Sequence, residues 1–184
     1  FLCMKGVKDE RIKQVLNNSS ANFVDGMGIR LPLKLSGYKF NGRVRGTDFM
    51  LKLCEYATKS RLKVYLYGNK EDTLVSLKRK LILSFPGLDI VGHYSPPFRE
   101  LTEDENKEII KKINEIKPDI IFVSLGSPKQ ELWMAKNKDK INATMFGVGA
   151  AFDFITGNVR QAPFLMQKLG LEWLYRLPQQ PKKT

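Results

Sequence analysis

At 184 residues with 42% apolar content, the chain has the size of one domain and enough material for a proper core. Its 31 Lys and Arg against 19 Asp and Glu give a net charge of +12, which suggests an anionic partner, whether nucleic acid, an anionic membrane surface or a phosphorylated substrate. Cys3 and Cys54 lie far apart and His93 is the only histidine, which argues against zinc and disulfides, while no apolar run approaches the roughly 18 residues of a bilayer span and no secretory signal pattern is visible.

The chain begins at Phe1 with residues that already read as the start of a helix, so a leading strand is expected to be missing from a fragment or trimmed chain. Residues 8–17 have helical charge spacing with Ile12, Val15 and Leu16 on one face. Residues 22–24 read as a short strand ending at Asp25 and Gly26, and residues 47–59 as a helix striped by Phe49, Met50, Leu53 and Tyr56. A strand over 62–67 stops at Gly68, and Asn69 is placed to cap a helix that runs through Phe85 and ends at Pro86-Gly87. Residues 88–94 form a third strand. After the Ser95-Pro96-Pro97 loop, Thr102 and Glu105 make a capping box for a helix to about Ile116.

Beyond Pro118, the run 120–125 reads as a buried strand and Gly126 as its turn. Ser127 then stands as an N-cap, Pro128 at the first helical position and Gln130 where its amide closes a second capping box. Residues 144–148 supply one more strand. This alternation predicts an α/β, Rossmann-like and mostly parallel sheet with helices on both faces, and ligands bind beyond the C-terminal ends of such strands. Asp25, Gly68, Gly126 and Gly149 are therefore expected along one edge of a single core over residues 1–177. The final PQQPKKT, 178–184, reads as an exit from the fold or a truncated appendage.

Several residues at that edge carry chemistry. Unpaired N–H groups at the Gly126 junction attract phosphates, and Lys129 adds a mobile positive charge, although many strand-to-helix turns bind nothing. Asp25 can deprotonate a sugar hydroxyl or cap a helix through Gly28 and Leu31. Arg43 and Arg45 precede a helix N-terminus and suit a diphosphate, or are surface charge. Gln130 and Glu131 have structural tasks in the capping box and the helix dipole without any ligand. Asp153 follows the small-residue run from Gly147 to Ala151, where a carboxylate can accept from a ribose diol or a uracil N–H, or cap a helix. Phe152, Trp173 and Tyr175 read as core, and His93 has no partner at recognisable spacing. No Asp-x-Asp pair is present to hold a divalent metal against a diphosphate.

Taken in order, GSPKQE (126–131), GVGAAFDFITG (147–157), RQAP (160–163) and GLEWLYRL (170–177) resemble the WecG/TagA/CpsF family of bacterial glycosyltransferases. FVDGMGI (23–29) and RVRGTD (43–48) resemble the N-terminal half of the same family. The resemblance implies that Asp25 is the general base and that Arg43 is important for activity. It also places nucleotide-sugar recognition on the C-terminal blocks, with Gly126, Lys129, Gln130, Gly149 and Asp153 as the binding residues.

It further implies an inverting, metal-independent reaction with no cofactor. The sugar, N-acetylmannosamine first, passes from a UDP-sugar donor to undecaprenyl-diphosphate-linked N-acetylglucosamine for teichoic acid or another surface polymer. An aminouronic acid or a hexose is the alternative within the family, and a non-catalytic nucleotide-binding regulatory domain the alternative outside it. Nucleic-acid binding is disfavoured, because the lysines are scattered with no interleaved aromatic stripe. The expected location is cytoplasmic and peripheral to the inner face of the membrane, and a homo-oligomer is left open. Family members continue past WLYRL with a basic, apolar tail, so the expectation is that this core binds UDP but transfers sugar poorly.

Overall fold

The computed structural model describes residues 2–25, 27–38, 44–163, 166, 174 and 175. Helices α1 (Leu2–Lys8) and α2 (Glu10–Asn17) form a hairpin at Asp9, whose carboxylate accepts from the Arg11 N–H as the N-cap of α2. Helix α3 spans Met27–Leu35 and α4 spans Gly46–Ser60. Then strand and helix alternate: β1 (Lys63–Gly68), α5 (Glu71–Ser84), β2 (Asp89–Tyr94), α6 (Glu103–Ile116), β3 (Ile120–Ser124), α7 (Lys129–Asn137), β4 (Thr144–Gly147) and α8 (Ala151–Thr156).

The four strands pair in parallel in the order β2-β1-β3-β4, so the expected parallel α/β sheet is what the chain forms. Period-two alternation divides the core in two. Val64 and Leu66 of β1 with Ile120 and Phe122 of β3 pack on Met50 and Cys54 of α4, Leu74 and Leu77 of α5, and Phe152 of α8. Tyr65, Tyr67, Ile121 and Val123 face the other way, onto Ile109 and Ile113 of α6 and Trp133 of α7. Strands buried on both faces must be apolar throughout, and β3 is buried at all five positions.

This arrangement fixes where a ligand can sit. The chain leaves β1 toward the α5 face and β3 toward the α7 face, so the connections after these two paired strands diverge, the place where parallel sheets of this kind take ligands. At that point Gly68 lies so close to β3 that an added Cβ would be 2.5 Å from the Ser124 carbonyl oxygen, at a φ of +106°. Gly68→Ala therefore meets both a backbone clash and an unfavourable φ. It should cost about 2–3 kcal/mol, read as a lower urea midpoint with an unchanged slope.

Local signals succeed where the partner is near in sequence. The Thr102 hydroxyl accepts from the Glu105 N–H at 3.2 Å while the Glu105 carboxylate accepts from the Thr102 N–H at 2.9 Å, which is the expected capping box. Arg99 adds a fork of hydrogen bonds that holds the Glu105 carboxyl down at about 2.

Other expectations need correction. Residues 22–24 are not a strand: they lie outside the sheet, and the Val44 N–H donates to the Val24 carbonyl. Asn69 does not cap α5. Lys70 occupies the N-cap, while Asn69 adopts a φ of +67° and its Oδ1 accepts from the Lys70 N–H. Likewise Pro128, not Ser127, is the N-cap of α7, and no side-chain capping bond forms there. Gln130 is turned to a different partner, as its surroundings show. His93 has a partner after all, the Glu71 carboxylate at the start of α5, at 2.7 Å.

Candidate functional site

A side chain from α7 is tied to the loop that follows β4. Gln130, only 5% exposed, accepts the Gly149 N–H on Oε1 at 3.2 Å and donates from Nε2 to Oε1 of Glu131 at 2.9 Å. Its own N–H is spent on the Gly126 carbonyl at 3.0 Å, so this donor at the helix start is already satisfied. The amide fits because residue 147 is glycine: a Cβ there would lie 2.9 Å from both Gln130 Nε2 and Met134 Cε. The Ser124 hydroxyl donates to the Gly149 carbonyl at 2.7 Å, and the Val148 N–H to the Val123 carbonyl at 2.9 Å. Gly126 and Gly149 have φ of +77° and +55°, and the space where a Cβ would stand is open at both. Backbone that a ligand can approach closely is thus presented at two successive loops.

Asp153 sits on the neighbouring loop system. It lies in the first turn of α8, whose N-cap is Ala150, so the carboxylate is not the helix cap. Its Oδ1 instead accepts from the Asn69 side chain at 3.1 Å, and the Asn69 carbonyl accepts from the Ser95 hydroxyl at 2.8 Å. The left-handed Asn69 thereby links the ends of β1 and β2 to α8. Spacing alone assigns Asn69 to a cap, whereas its partner lies 84 residues away and leaves no local signal.

Helix α7 is anchored from behind. The Trp133 indole stacks on Tyr67 with centroids 4.0 Å apart, and its N–H donates to Asn106 Oδ1 at 3.2 Å. Asn106 donates in turn to Asn137 Oδ1, and Asn137 to the Trp133 carbonyl. This closed, buried loop of hydrogen bonds fixes α6 to α7 and hence the direction in which Gln130 and Glu131 point. Burial pushes the Tyr67 hydroxyl's pKa far up, and that hydroxyl has no hydrogen-bond partner among the described residues.

A cleft of about 1170 Å³ runs from α2 and the segment before α3 to the start of α4, α7 and the end of β4. Asp25, Gln130, Glu131 and Gly149 all belong to its lining. An aromatic row crosses it: Phe23 lies 4.9 Å from Phe49, and Phe49 lies 5.2 Å from Phe146. Asp25 is exposed at this cleft, so any desolvation of its carboxylate must come with the substrate. Arg45 pairs with Asp48 at 2.7 Å.

The expected edge is therefore assembled in part. The cleft gathers Asp25 with Gln130 and Gly149; Gly126 and Lys129 form the adjoining turn; Asp153 stands on the Asn69 side. Arg43, Gly26 and Trp173 lie outside the described residues. Phe152 is fully buried, as core. Among the described residues, no three His, Cys, Asp or Glu side chains are grouped to hold a metal ion, and no helix is long and apolar enough to cross a membrane.

Comparison with known proteins gives one consistent result. The model of the glycosyl transferase WecG/TagA/CpsF family matches residues 1–184. A Bacillus subtilis (strain 168) protein named N-acetylglucosaminyldiphosphoundecaprenol N-acetyl-beta-D-mannosaminyltransferase is 30% identical over 177 residues, 96% of this chain and 67% of its own. A Bacillus spizizenii protein of the same name is 32% identical over 182 residues, covering 97% and 68%. One from Staphylococcus aureus (strain NCTC 8325), also so named, is 27% identical over 164 residues, covering 89% and 63%. The chain spans about two thirds of the length of these relatives.

Proposed function

Since the chain belongs to the WecG/TagA/CpsF family of glycosyl transferases, we propose that this glycosyltransferase moves N-acetylmannosamine from UDP onto undecaprenyl-diphosphate-linked N-acetylglucosamine, with inversion and without a metal. The observation that carries the reading is the cleft, which sets Asp25 together with the Gln130-bound Gly149 loop at the C-terminal edge of a parallel sheet. The relatives' names supply the transferred sugar and the lipid-linked acceptor.

In this reading the donor's nucleotide lies along the β3 and β4 loops, where Gly126 and Gly149 allow close approach, and Asp153 accepts from the ribose or the uracil. Asp25 takes the proton of the acceptor hydroxyl as its oxygen bonds to the anomeric carbon. The bond from that carbon to the diphosphate oxygen breaks on the opposite face, and UDP departs. Lys129 and Arg43 offset the charge that develops on the leaving diphosphate, the work a metal would otherwise do; the lack of an Asp-x-Asp pair in the sequence supports that assignment. The protein works at the inner face of the membrane, where +12 of net charge draws it to an anionic leaflet.

The full-length protein, given UDP-N-acetylmannosamine and a short-chain lipid-diphosphate N-acetylglucosamine, should yield the disaccharide lipid in the presence of EDTA. No product with this donor but product with another UDP-sugar would move the assignment within the family. UDP alone, also in EDTA, should raise the melting temperature by mass action. Asp153→Ala should weaken UDP binding by about 1–3 kcal/mol, measured by titration calorimetry; an unchanged affinity would leave Asp153 with only its bond to Asn69.

A further inference from the structure

Glu131 stands in the first turn of α7, beside Gln130. Its Oε1 is occupied by the Gln130 amide at 2.9 Å. Its Oε2 is shielded from solvent and receives no hydrogen bond from any described residue. A shielded carboxylate oxygen with no donor is unfavourable, and native structures leave very few such atoms. This one belongs to a side chain that lines the cleft, next to Gln130 and Gly149 and in the same cavity as Asp25.

The chemistry of the missing partner follows from the acceptor. A carboxylate oxygen takes an O–H or N–H and repels another anion. A diphosphate offers only negatively charged oxygens. A neutral sugar offers hydroxyls, an acetamido sugar an N–H besides, and the nucleoside's own O–H and N–H groups are those that Asp153 takes in the proposed donor site. The position narrows the choice further, since Glu131 is held through Gln130 to the Gly149 loop, the wall on which the donor lies in the reading above.

On that reading, we propose that Glu131 is a specificity-determining residue: its carboxylate accepts a hydrogen bond from the neutral sugar of the nucleotide-sugar donor and disfavours sugars that bear a carboxylate. Gln130 holds the group in place, its buried amide spanning Glu131 and Gly149.

The test compares UDP, UDP-N-acetylhexosamine and UDP-hexuronate binding to the wild-type chain and to Glu131→Gln by titration calorimetry, with melting curves for both proteins. Glu131→Gln keeps the side-chain shape but turns an acceptor into a donor. The expected result is a 10- to 100-fold loss of affinity for the N-acetylhexosamine donor, unchanged UDP affinity, and a smaller preference over the hexuronate. Unchanged affinity for the N-acetylhexosamine donor, or an equal loss for UDP itself, would overturn the proposal while leaving the glycosyltransferase reading intact. Should the variant not fold, the wild-type comparison decides: a hexuronate donor bound as tightly as the neutral one overturns it. Wild-type protein that binds none of the three compounds would overturn the donor-site reading and this inference together.

Discussion

Asp25→Asn should lower turnover by roughly 10²–10⁴-fold, the range that a positioned general base contributes, while the melting temperature barely moves. Asparagine has nearly the shape of aspartate and caps helices about as well, so the substitution separates the two tasks that the sequence allows at this position. Asp25 stands exposed at the cleft. The loss should fall on the chemical step: donor affinity, read by UDP titration, stays at the wild-type value, and the acceptor KM changes little. The assay is steady-state transfer on the full-length protein. Near-normal turnover would reduce Asp25 to a residue that shapes the segment before α3, and the base would have to be sought elsewhere in the cleft.

How far the sequence reveals this protein depends on the distance between partners. The strands β1 and β3 are legible because burial on both faces demands apolar runs, and the capping box of α6 because Thr102 and Glu105 lie within one turn. The gathering of the strand ends follows from alternation alone, through the handedness of parallel crossovers. What sequence cannot show is which long-range partner outbids a local one. Gln130 stands at capping-box spacing from Ser127, yet its amide goes to Gly149, 19 residues away. Asn69 is well placed to cap α5, yet its amide nitrogen reaches Asp153. In each case a side chain expected to serve its own helix bonds instead to a residue of a different segment. Residues that hold a site together give up a local optimum to do so.

Gln130 is accordingly the side chain whose loss should be felt across the whole site. Gln130→Ala removes the acceptor of the Gly149 N–H and the donor to Glu131 in one step, and opens a void beside Gly147, where the backbone had made room for the amide. Two polar groups at the rim lose their partners, at about 1–3 kcal/mol of stability. The larger consequence is geometric, because the Gly149 turn and the Glu131 carboxylate are then oriented by nothing on α7. A misplacement of about 1 Å in a positioning element costs on the order of 10²-fold in rate, and kcat/KM for the donor should fall by about that factor. Gln130→Glu provides the contrast: it keeps an acceptor for Gly149 but sets a second carboxylate against Glu131, so donor use should be no better than in the alanine variant. If Gln130→Glu instead restored wild-type kcat/KM, the Gly149 contact alone would suffice, and the hydrogen bond to Glu131 would have no part in holding the donor site.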